Sequence, residues 1–329
     1  MTVPYAPGLL ANPVINPVVG GYGLAVPYLS PSQYRFAPTA MDLTNLVVAG
    51  DYRTQDQALS DLIRRSSAMI DRYCFGADPS AKGASLCATQ SIETAWLRVL
   101  QGELKLICDY KPIVEVTGIA AGMDPSTVVD IDQTAANRIR FGHSTIYVPI
   151  QGAFNATPSR TTLLNTVSTL YGRVFVAWSY INGYPHTKLT SNISAGATSF
   201  TVYATTPDGR VAGVYPGTQL RIVDGADTET VTVASISGNV VTTASPINYD
   251  HMVPDDPDFL PVTTIPSDVE QAAIFMTTYL IKERGDDSLS IMEIGEPERE
   301  AKMKGDAYED MAMAMEYLDH YRIVTKVKS

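Results

Sequence analysis

The side chains of this chain whose types suit catalysis or metal binding are four histidines, three cysteines and one short run of aspartates. His143, His186, His251 and His320 are scattered along the sequence, and an isolated loop histidine is ordinarily a solvated one. Cys74, Cys87 and Cys108 form no CxxC pair and leave an odd count, which argues against a zinc module or a secreted disulfide framework and for a reducing compartment. Asp250, Asp255, Asp256 and Asp258, with His251 beside them, have the oxygen chemistry for Ca²⁺ or Mg²⁺. Their spacing lacks the DxDxDG pattern, however, and prolines at 254 and 257 interrupt it, with Pro261 just beyond, so the segment reads as a solvated linker. The sequence contains no GxxxxGK[ST] loop, HExxH helix or GxSxG elbow, and no GxGxxG following a strand. No catalytic residue, cofactor or metal site is expected, and the chain is expected not to be an enzyme.

At 329 residues, 45% hydrophobic and 18% charged, the chain can bury a core without disulfides. The net charge of −11 disfavours phosphate binding overall, and Arg64, Arg65 and Arg72, set among Asp61 and Asp71, read as a salt-bridged helix face. Residues 1–23 lack a basic n-region and are broken by prolines, so no signal peptide is expected. No uninterrupted apolar run reaches membrane-spanning length, so a soluble protein made in the cytoplasm is expected.

Residues 1–40 interleave seven prolines with tyrosines and read as an extended arm that orders on a partner. A short apolar helical segment is expected from Asp42 to Gly50. Leu59, Leu62, Ile63, Ser66, Met69, Ile70 and Tyr73 then recur every three or four residues, which predicts a helix over 55–73. Strands are predicted at 92–100, 104–108 and 113–116 as a β-meander, with more at 146–150 and 173–181. Residues 187–251 shift to Thr, Val, Ser and Gly, with a Ser237-Gly238-Asn239 hairpin turn, and read as a small inserted all-β domain. An Asp/Pro-rich linker at 252–265 follows. Ser267 and Glu270 predict a capping box opening one helix, and Pro297 opens a second, methionine-rich helix. The predicted architecture is α+β: a helical bundle of N- and C-terminal helices with a β-meander, formed by 41–186 with 266–329, and the inserted domain.

The order of elements resembles the head-to-tail connector (adaptor) proteins of long-tailed bacteriophages. The resemblance is carried by DLTNLVVAGDYRTQDQALSDLIRRSSAMIDRYCF (42–75), KPIVEVTGIAAG (111–122) and IPSDVEQAAIFMTTYLIKERGDD (265–287). It covers about half the chain and rests on apolar patterns. The proline-rich arm and the 187–251 segment depart from the minimal family pattern; the segment is similar to β decorations on phage virion proteins. The resemblance implies a structural virion subunit at the head-tail junction. It would form a ring, a dodecamer, that joins the portal to a tail-side connector or terminator protein and passes double-stranded DNA without specific binding. An acidic lumen would let DNA slide, with Asp286, Asp287, Glu296, Glu298 and Glu300 as candidate channel-lining residues. Leu59, Leu62, Ile63, Ile70, Tyr73, Met311, Met315 and Leu318 are candidate subunit or portal contacts, and deleting 1–38 is expected to leave a folded subunit that docks poorly. A competing reading is a carbohydrate- or receptor-binding virion protein that uses Tyr203, Tyr215 and Tyr249.

Overall fold

The segment VFVAWSYIN, Val174–Asn182, is buried at every position, as only a strand covered on both faces can be. This strand, β7, is the centre of the first of two units seen in a computed structural model of the chain. The structure describes residues 26–39, 41–43, 46–47, 54–75, 85–100, 103–122, 124–125, 128–130, 140–149, 173–206, 209–254, 261–289 and 297–322, with backbone alone at 129, 284–289 and 297–307.

In the first unit, which includes Leu86–Pro185 and Ala204–Val214, β7 pairs antiparallel with β1 (Thr89–Leu97) and β3 (Ile113–Gly122), and β4 (Val129–Asp130) extends β3. A second sheet has the order β2 (Glu103–Ile107), β6 (Thr145–Pro149), β5 (Arg140–Phe141). Alternation in β2 and β6 turns Leu104, Leu106, Ile146 and Val148 onto Val174, Val176, Trp178 and Tyr180, making a sandwich core. Each such side chain contributes about 1.5–3 kcal/mol on burial. The other face of β7 puts Phe175 and Ala177 against Ala120, and Ile181 against Ala88 and Ala212. The last of these comes from the Ala204–Val214 stretch.

Two close approaches shape β7 and its partners. Gly183, just beyond the strand, has φ +95°, and a Cβ there would lie 2.5 Å from the Cys87 carbonyl oxygen, so only glycine lets residues 86–87 pass. In β3 the register with β7 shifts at two places, between Ile113 and Glu115 and between Val116 and Gly118, and these bulges bend the strand around its neighbour.

The second unit includes the described residues of Pro17–Ser85, His186–Tyr203 and Tyr215–Ser329. Its six-stranded antiparallel sheet has the order β8 (His186–Thr187), β13 (Val262–Thr263), β10 (Gln219–Ile222), β11 (Glu229–Ser237), β12 (Val240–Thr243), β9 (Ser199–Thr201). The β11–β12 hairpin turns on Gly238 at φ +58°, the turn the sequence predicts. Four helices complete the unit: α1 (Pro31–Phe36), α2 (Gln55–Phe75), α3 (Ser267–Leu289) and α4 (Pro297–Leu318).

The predicted helical bundle is overturned. Thirteen strands in three antiparallel sheets dominate the described chain, and the first unit holds no helix among its described residues. The β-meander also fails. β1 and β2 are adjacent in sequence but pair with β7 and β6, because β7 is apolar on both faces and takes the central place. Residues 26–39, expected in an extended arm, fold into the second unit. Ser30 and Gln33 form a reciprocal capping box for α1, and Tyr28, Leu29 and Tyr34 are buried. The expected capping box of α3 does not form, since Glu270 turns to Arg221 and Gln33 instead. Val262–Thr263, in the expected linker, is a strand of the six-stranded sheet. Of the segment expected to be helical from Asp42 to Gly50, residues 42–43 and 46–47 are not helical and the rest lie outside the described residues.

Candidate functional site

Three polar clusters and one helical surface are the places where this chain could act. The first cluster joins the ends of three elements in the second unit. Glu229 opens β11, Asp224 follows β10, and His251 lies beyond the β11–β12 hairpin, where its backbone bridges to Ile193. The His251 imidazole is fully buried, with Nε2 2.9 Å from Glu229 Oε1 and Nδ1 3.4 Å from Asp224 Oδ2. Glu229 also accepts hydrogen bonds from the Asn248 backbone N–H at 3.0 Å, the Asn248 side-chain amide at 2.8 Å and the Tyr249 N–H at 3.2 Å. Burial acts to raise the Glu229 pKa, but the donors from Asn248, His251 and Tyr249 outweigh it and hold the carboxyl below its ordinary range. A histidine–carboxylate pair is also the core of general-base machinery, but this imidazole is sealed from solvent and its partner carboxylate is taken up by donors. It works as a staple that pins residues 248–251 to β11.

The second cluster lies between α1, α3 and the sheet. Arg221 from β10 and Gln33 from α1 both donate to the Glu270 carboxylate, Gln33 at 2.6 Å. Beside them His186 and Tyr28 border a cavity of about 10 Å³, space for one water at most. Burial pushes the His186 pKa down to about 3. In the first unit the Tyr180 hydroxyl donates to Glu93 and accepts the Tyr110 N–H at 3.1 Å, while Glu93 accepts the Asp109 N–H at 2.9 Å. Nearby Cys108 is pushed up to about 12, by burial first and by the Glu93 charge second. All three clusters tie strands and turns together. None of them follows from the sequence spacing. Glu229 and His251 are separated by a hairpin that only the folded sheet closes, and Glu93 and Tyr180 meet only because β1 pairs with β7.

An open cleft of about 620 Å³ is lined by residues that include Tyr34, Thr39, Met41 and Gln55, together with Arg35, which is ion-paired to Asp56. Among the described residues no group of three or more His, Cys, Asp or Glu is placed to hold a metal. Of the aspartate run, Asp250 accepts the Ala195 N–H, and Asp255, Asp256 and Asp258 lie outside the described residues.

No family model and no curated protein matches this chain. Its own surfaces therefore carry the functional argument. Leu59, Leu62, Ile63, Ile70 and Leu318, expected at a subunit or portal contact, are buried in the core of the second unit, whereas Tyr73, Met311 and Met315 are partly accessible. The helical stripe that marked these residues serves the packing of α2 against α3. Ser66, on the same stripe, accepts a hydrogen bond from the Thr277 hydroxyl at 2.9 Å. Asp286 and Asp287 lie in α3, Glu298 and Glu300 lie in α4, and Glu296 is outside the described residues. Tyr203, Tyr215 and Tyr249 are exposed, with the Lys188 ammonium 5.2 Å from the Tyr203 ring centroid. No helix among the described residues is long and apolar enough to cross a membrane.

The helical surface was not anticipated. Phe275 stacks on Tyr317, Tyr279 meets Tyr308 and Lys282 pairs with Asp310 at 2.6 Å, so α3 and α4 run antiparallel. Ser66 meets Thr277, while Tyr73 reaches Asp319, next to the Tyr321–Asp268 bond at the start of α3, so α2 is antiparallel to α3 as well. α3 packs against both α2 and α4, and the C-terminal ends of α2 and α4 also meet where Tyr73 reaches Asp319. On α4, Tyr308, Met313 and Tyr317 are exposed, Tyr308 at 61%.

Proposed function

We propose that the chain is a structural, non-catalytic virion subunit. It assembles into a ring at the head-tail junction of a bacteriophage, joins the portal to a tail-side connector or terminator protein, and continues the DNA channel. The observation that carries this reading is the α2–α3–α4 group, in which α2 and α4 turn charged and apolar side chains to solvent, as a module built to be continued by neighbours would. The polar clusters support it further, because each fastens one segment of the fold to another. A net charge of −11 suits a lumen along which phosphates pass without sticking.

The test is negative-stain electron microscopy of the full chain, alone and mixed with a purified portal ring. Closed rings, or added density on the portal with its symmetry, are the expected result. Monomers in both samples with no added density would overturn the reading.

A further inference from the structure

The outward faces of α2 and α4 carry the same spacing with opposite charge. On α2, Arg65 and Arg72 are exposed and stand seven residues apart, with exposed Ala68 between them. On α4, Glu309 and Glu316 are exposed and stand seven residues apart, with exposed Ala312 between them. Seven residues are two turns, about 10 Å along either helix. In both helices these residues lie on the side away from the buried ones, which include Leu62, Ser66 and Ile70 on α2 and Ala314 and Leu318 on α4. Both helices run antiparallel to α3 and hence parallel to each other, so a neighbour turned about a ring axis along them presents its α2 to this α4 in the same direction, and since Tyr73 lies level with Asp319 in one chain, Arg65 and Arg72 fall about 3 Å along the axis from Glu309 and Glu316, within reach of these long side chains.

We infer that α4 of one copy docks along α2 of the next, with Glu309 facing Arg65, Glu316 facing Arg72, and the two alanines allowing close approach. This inference rests on the ring-forming reading above and supplies its contact. The interface is heterologous, because the donor and acceptor faces differ. Each copy therefore keeps one of each open, and the contact repeats from subunit to subunit until a ring closes. The exposed edge of Met313, beside Ala312, adds apolar contact, and the paired charges select this partner and register over a like-charged one.

The experiment uses the full chain at low ionic strength, with association followed by sedimentation velocity over a range of concentrations. Two double variants, R65E/R72E and E309R/E316R, change exposed residues only and should melt close to the wild type. Each should associate more weakly by about tenfold or more, since both its faces then carry the same sign. An equimolar mixture of the two should recover association, because every contact in an alternating ring is again opposite in charge. A68C/A312C should give a ladder of intermolecular disulfides extending past the dimer on oxidation, alone or on a portal ring. If the wild type associates and the double variants associate equally, or their mixture fails to recover, this interface is wrong while the ring reading stands. If the wild type neither associates nor adds to the portal and no ladder forms, both fail.

Discussion

Burial keeps the His186 imidazole neutral in the folded chain, with its pKa depressed to about 3, while in the unfolded chain it titrates near its ordinary value of about 6.5. Between those values the unfolded state binds the extra proton. The stabilisation is therefore complete above about pH 6.5 and is lost progressively as pH falls toward 3. Melting temperature should decline between pH 6.5 and about 4.5 in the wild type, and the decline should be shallower in His186→Leu. Glu229 acts lower on the scale. Its folded pKa is depressed, so its contribution is present above the ordinary carboxylate pKa of about 4.3 and disappears as pH falls through the folded value. Glu229→Gln places an amide donor against the N–H groups of Asn248, Tyr249 or His251 and should cost about 1–3 kcal/mol in a urea titration at neutral pH. Cys74 and Cys108 are both pushed up to about 12, and Cys87 is buried with them. All three thiols should resist Ellman's reagent at pH 8 until denaturant is added.

At the scale of elements, the end of β7 is the most exacting position. Gly183→Ala forces a Cβ into the backbone of residues 86–87 and a side chain onto a positive φ, and should lower stability by several kcal/mol, more than a typical surface change. A thermal melt of that variant, with an Ala at exposed Gly196 as a control for the φ effect alone, separates the two causes. The places of β7, α2 and the β11–β12 hairpin were legible in the sequence because each rests on a local pattern: a mostly apolar run closed by glycine and proline, a period of three and four, a Ser-Gly-Asn turn. Helix α1 was equally legible in principle, since Ser30, Pro31 and Gln33 spell a capped start, but the surrounding prolines masked it. Strand partners were not legible. The pairing of β1 with β7 joins residues some eighty positions apart and depends on which strand has two buried faces. The candidate contacts on α2 show the same limit. One apolar stripe marks a helix but does not say whether it is covered by its own chain or by another, and here the charged residues on the opposite side carry the docking argument.

At the scale of the molecule, burial of Tyr28, Leu29 and Tyr34 changes what a terminal deletion can test. Removing residues 1–38 takes three core side chains from the second unit, each worth about 1.5–3 kcal/mol, and should lower the melting temperature sharply. A scan that instead shows an unchanged transition would mean that α1 is dispensable to the fold. The acidic chain should also fail to retard duplex DNA in a gel at about 0.1 M salt. A retarded band that disappears as salt rises would point to a basic face and away from a sliding channel.

The Ala204–Val214 stretch leaves the strands of the second unit after Tyr203 and places Ala212 in the core of the first. Seen in time, this sets an order on synthesis. With residues 86–185 already outside the ribosome, the face of β7 that bears Ile181 waits for Ala212, while the six-stranded sheet waits longer still, for Val262 and Thr263. The sandwich core of the first unit draws its buried residues from 104–180 alone, so only this second face of β7 stays open while the chain is short of residue 212. A nascent chain halted well past residue 214 should therefore protect the first unit from protease before the second, whose sheet still lacks β13.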